Sequence, residues 1–159
     1  MSQAIVNGLK GPIDNSFALL AKFIEVCPEN IWAEKSGGWP VWQQVYHVVG
    51  AVDFFISVPG LPPSEPLAKP AFGELSEVAD ITVAKNQIKT AVDEAQARID
   101  KYVATLTDED LAKRNEHLFA AANMDMTVAA TLSLLAAHTL YHLGSCDAAL
   151  RDNGLKGVF

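Results

Sequence analysis

Cysteine is scarce in this chain. Only Cys27 and Cys146 occur, too few for a disulfide framework, and their low number points to a reducing compartment. Basic residues are also in deficit, with twelve Lys and Arg against nineteen Asp and Glu, a net charge of −7. Non-specific nucleic-acid binding needs clustered cations to displace counterions from phosphates, so this balance argues against it and against a polybasic membrane role. No apolar run is long enough to cross a bilayer: the most apolar, Val128 to Ala137, is interrupted by Thr131 and Ser133. The opening residues MSQAIVNGLKGPIDNS lack the basic and apolar regions of a secretory signal, and the expectation is a soluble, cytoplasmic protein. The glycine patterns that cradle phosphates and the G-x-S-x-G nucleophile elbow are missing too, so nucleotide binding and serine hydrolysis have no support.

What is present reads as one helical domain spanning residues 1–159. Half of the chain is hydrophobic and 19% is charged, which excludes global disorder. A chain of this length can bury about 68–70% of its unfolded surface, enough for a core without staples. Four long helical patterns predict an all-α four-helix bundle. The first runs from Pro12, placed as a helix-starting proline, to Cys27, with Phe17, Leu20, Phe23, Ile24 and Cys27 as its buried stripe. The second starts at Trp39-Pro40 and ends near Val58, before Pro59-Gly60. A long irregular connection follows, Ser57 to Asp80, holding five of the eight prolines. The third helix is expected over Asp80 to Leu106, with Ile81, Ala84, Ile88, Val92, Ala95, Ile99, Tyr102 and Leu106 on one face. Thr107 to Asp110 has the form of a capping box, Asn115 to Met126 reads as a loop or small hairpin, and Thr127 to Asp152 is the fourth helix. Trp32, Trp39 and Trp42 read as packing at the bundle end.

The chemistry concentrates in histidine. His138 and His142 form an H-x3-H pair in the most apolar helix, one turn apart on the same face. That spacing lets two imidazoles converge on one ion at the ~2.0–2.1 Å of a Zn–N bond. Alone, the pair reads equally as two core histidines bonded to backbone or to Tyr141. His47 changes the balance, because it lies on the second helix in an apolar or small stripe with Gly50, Ala51 and Phe54. Three buried ring nitrogens left unpaired would each cost of order 1–3 kcal/mol, and one shared divalent cation satisfies all three. Gln43 and Gln44 flank His47 as partners that could orient an imidazole. Ser145 falls on the same helix face as the pair, and Cys146 is a fourth ligand, a reactive thiol or a small packing residue. Asp53 lies off that face, and His117 sits in a polar loop where an exposed imidazole is expected.

These residues resemble the DinB/YfiT-like family. The resemblance is carried by Trp39 to His47, by the Thr107 to Leu111 element, by His138-Thr139-Leu140-Tyr141-His142-Leu143-Gly144, and by Leu150-Arg151-Asp152-Asn153-Gly154. It implies a four-helix bundle in which His47, His138 and His142 hold nickel, zinc or another divalent ion (iron, cobalt, copper or manganese). It further implies a transferase or isomerase using a low-molecular-weight thiol, with metal-dependent hydrolysis as the alternative, a small-molecule substrate, and assembly as a homodimer. A non-catalytic metal-binding or dimerisation domain is the reading from a different class. The family's usual Gln two residues after the motif glycine is Cys146 here, which leaves room for different surroundings or a different substrate.

Overall fold

The structure, a computed structural model, describes residues 2–159. Four long helices form the body: α1 (Ala4–Val26), α3 (Val41–Phe55), α5 (Lys85–Ala104) and α7 (Val128–Asp152). Short helices α2 (Glu29–Trp32), α4 (Pro70–Gly73) and α6 (Glu116–Ala122) lie between them, with a two-stranded hairpin of β1 (Lys35–Ser36) and β2 (Trp39–Pro40). α7 packs on α1 and α3, and α5 closes the ring on the other side of the same two helices. The bundle is all-α apart from that hairpin, and its buried side chains form one connected cluster running from Val6 to Val158.

Helix boundaries depart from the expected ones wherever a distant contact replaces a local signal. α1 begins at Ala4, not at Pro12, which lies inside the helix. A mid-helix proline removes one ladder hydrogen bond. Here Gly8, Gly11 and Pro12 all face solvent, so water can take the freed Gly8 carbonyl. The early turns are secured by burial of Val6 and by Asp108, whose Oδ1 accepts from the backbone N–H of Ile5 and Val6 at 2.9 and 3.0 Å. α3 stops at Phe55, short of Val58. α5 starts at Lys85, five residues after the expected Asp80, because Val83 is drawn into the core and its carbonyl accepts from Trp32 Nε1 at 2.8 Å. Ile81, expected on the buried face, is half exposed. Trp32 and Trp42 are fully buried, as packing residues should be.

Two further segments were not expected to be regular. Gly37 and Gly38 hold positive φ angles of 60° and 96° and turn the β1–β2 hairpin, a conformation that glycine alone adopts freely. Residues read as a loop form α6, whose N-cap Asn115 accepts from Leu118 N–H and whose C-cap Asn123 is left-handed. In the Thr107–Asp110 box the acidic half behaves as expected, Asp110 accepting from Thr107 N–H at 2.8 Å. The Thr107 hydroxyl also donates to Asp110, and only one 3₁₀ turn, Asp110–Ala112, follows.

Asn115 does more than cap. Its buried Nδ2 donates to the Phe55 carbonyl at 2.8 Å, fixing the end of α3, and to Thr131 Oγ1 of α7. Asn115→Ala leaves these acceptors and the Leu118 N–H unpaired, so we expect a loss of about 2 kcal/mol. In a chain of this size that lowers the melting temperature by roughly 4–8 °C, measurable by circular dichroism.

Candidate metal centre

The three histidines expected to meet do meet. His47 of α3 faces His138 and His142 of α7, with one ligand atom from each lying within 4.8 Å of the others. Ring centroids are 4.6–4.8 Å apart, and no two rings are stacked face to face. The i, i+4 spacing on α7 stacks two rings on one face, and the packing of α7 on α3 brings the third.

Hydrogen bonding fixes one tautomer. His47 Nδ1 lies 2.7 Å from the Gly73 carbonyl, which can only accept, so Nδ1 carries the proton and Nε2 presents its lone pair to the cluster. That nitrogen sits 2.9 Å from His138 Nε2, and two imidazoles thus aim the same atom at one point. Nδ1 of His138 and of His142 is buried with no hydrogen-bond partner among the described residues. Burial lowers the pKa of His47, and burial together with the neighbouring imidazoles lowers His138 and His142 to about 4. Neutral imidazoles are the donor set a borderline divalent cation takes. Tetrahedral ligands at about 2.0–2.1 Å from zinc stand roughly 3.3 Å apart, so His47 and His138 need part by only a few tenths of an ångström.

Two members of the cluster, His47 and His138, line a cavity of about 480 Å3 together with Tyr46, Phe54, Phe55 and Glu74. A larger cavity of about 750 Å3 lies under the proline-rich connection and borders the first across Tyr46 and Gly50. Gly50 is mid-helix, solvent-facing, and a Cβ there would meet nothing within 4 Å, so neither helix packing nor backbone approach requires glycine.

The remaining candidates are placed elsewhere. Gln43 is fully buried, but its amide donates to the Phe72 and Glu77 carbonyls and accepts from Ala79 N–H, holding the long connection rather than an imidazole. Gln44 donates to the Ser36 carbonyl and Ser145 lies beside Ser36 and Gly37, so both serve the hairpin. The Cys146 thiol is fully buried against the Val41 carbonyl, outside the histidine cluster, and burial pushes its pKa up, the opposite of an activated thiol. Asp53 lies outside the histidine cluster; it pairs with Arg98 at 3.3 Å and accepts from Ser64 N–H. His117, expected exposed, is half-buried with Nε2 2.9 Å from the Asp53 carbonyl. Sequence reasoning missed Gly73 and Glu74, because the contact between α4 and α3 carries no local signal.

A ring of four long helices with an all-histidine cluster between two of them defines a class: helical-bundle proteins with a candidate metal centre in the bundle wall. The DinB superfamily profile matches residues 13–146, and the chain belongs to that superfamily. The crystal structure of a DinB-like protein from Bacillus cereus ATCC 10987 is similar with a TM-score of 0.65 and 23% identity, covering 99% of this chain and 97% of that one. That likeness establishes the shared fold. No curated protein matches the sequence. No helix among the described residues is long and apolar enough to cross a membrane.

Two outcomes follow from the site's geometry. Unfolded imidazoles titrate near 6.5, whereas His138 and His142 in the fold resist protonation down to about pH 4. The unfolded chain therefore binds more protons across that window, and chelator-treated protein loses stability as pH falls from about 6.5 to about 4. Urea titrations at stepped pH check this. Gly50→Ala, in open space on a helix, raises stability by roughly 0.5–1 kcal/mol in the same assay.

Proposed function

We propose that this protein is a divalent-metal-dependent enzyme, loaded with nickel or zinc, that acts on a small molecule with a low-molecular-weight thiol as co-substrate. The observation that carries the reading is the convergence of three neutral imidazoles, two of which line a cavity, with no carboxylate or thiolate in the cluster among the described residues. His47, His138 and His142 would hold the ion and leave coordination positions for water or substrate. Once bound, such an ion supplies Lewis acidity that keeps a thiol deprotonated or lowers the pKa of a water towards about 7. The chain's own part is orientation and exclusion. The Gly73 carbonyl fixes the His47 ring. Tyr46, Phe54 and Phe55 wall the cavity with aromatic surface, which suits a polarizable sulfur better than a strongly hydrated hydroxide. Transfer or isomerisation of the thiol adduct is accordingly favoured over hydrolysis.

Elemental analysis of purified protein tests the reading. We expect about one ion per chain in the wild type and a loss of affinity of at least tenfold in His47→Ala and His138→Ala, with the helical content retained. A wild type that takes up no divalent metal even on reconstitution would sink the proposal, and a loaded protein that no thiol reaches would leave a metal-binding domain.

A further inference from the structure

Among the described residues, Glu74 is the only Asp, Glu, Lys or Arg on the wall of the histidine cavity, at its solvent-exposed edge. The other walls are apolar, aromatic, glycine or imidazole. Its carboxylate has no hydrogen-bond or ion-pair partner among the described residues. The nearby cation, Lys69, is engaged by Glu77 and lies over the Phe72 ring, 5.7 Å from its centroid. The backbone that carries Glu74 is also held in place. It directly follows Gly73, whose carbonyl accepts from His47, and a Cβ on Gly73 would come within 3.3 Å of the Tyr46 ring, so this turn lies flush against α3. Gln43 ties the same turn down on both sides, through the Phe72 and Glu77 carbonyls. One uncompensated, solvent-exposed negative charge thus stands on the cavity wall that His47 and His138 share.

We propose that Glu74 is a specificity-determining residue of this cavity and selects a thiol that carries a positively charged ammonium group close to its sulfur. An anion at the edge of an otherwise apolar cavity attracts a cationic ligand and repels an anionic one. A thiol reaching the imidazole cluster brings groups two or three bonds from its sulfur to the level of α4. A carboxylate there would stand opposite Glu74, and an ammonium group would pair with it. The inference rests on the thiol reading above.

Three small thiols that differ mainly in charge provide the test: cysteamine, 2-mercaptoethanol and thioglycolate. Each is titrated into the cobalt-substituted wild type and the Glu74→Gln and Glu74→Lys variants, reading the sulfur-to-cobalt absorption band. Because intrinsic thiol acidity is common to all three proteins, the informative quantity is the affinity ratio between cysteamine and thioglycolate. We expect that ratio to fall at least threefold in Glu74→Gln and further in Glu74→Lys, each protein being titrated cobalt-saturated, with melting temperature unchanged. Raising salt should shrink the difference between the wild-type and Glu74→Gln ratios. An equal ratio in wild type and Glu74→Gln overturns the role of Glu74 alone. Absence of the band with every thiol in a cobalt-loaded wild type overturns the thiol reading, and the role of Glu74 with it.

Discussion

The hydrogen bond from His47 Nδ1–H to the Gly73 carbonyl couples the bundle to the one long segment that is not part of it. It sets the tautomer of His47, and so decides that Nε2 faces the other two imidazoles. It also fastens α4 over the cavity. Without it the ring could turn about its side-chain torsions and present either nitrogen, and three histidines would remain three separate side chains. Such an orienting bond is what histidine ligand sets characteristically need.

That contact belongs to a larger arrangement. α3 offers Gln43, Tyr46, His47 and Asp53 in succession, and each bonds to a different part of the connection between α3 and α5. Gln43 holds residues 72–79, Tyr46 Oη meets Ala68, His47 takes Gly73, and Asp53 accepts from Ser64. From α5, Arg98 donates to the Pro62 carbonyl. A segment rich in proline and poor in regular hydrogen bonds has many backbone groups to satisfy, and side chains from two helices satisfy a share of them. The result is a fixed strap whose underside forms one wall of each cavity.

The helix stripes and the H-x3-H spacing were readable because both are local. Periodicity of 3.6 decides which face of α7 is buried, and a four-residue step puts His138 and His142 on one side whatever the helix packs against. The placement of His47 opposite them followed from its stripe together with the family resemblance, and α3–α7 packing brings it there. Other features were illegible for an equally physical reason. Gln43 and Gln44 carry the same amide and sit side by side, yet one holds the strap and the other the hairpin. The start of α1 depends on Asp108, about a hundred residues away, and no propensity of residues 4–11 could report it. α6 was legible in principle, since an asparagine N-cap and an asparagine stop bracket it.

By itself, then, the sequence determined the class of the molecule: apolar stripes at helical spacing require burial against other helices, and the H-x3-H pair is positioned by the geometry of a single turn. Only the tertiary structure decided which groups surround the imidazoles. The carbonyl that orients His47 and the carboxylate that charges the cavity lie on a strap whose course is set by long-range hydrogen bonds, and such bonds leave no periodic trace in the order of residues.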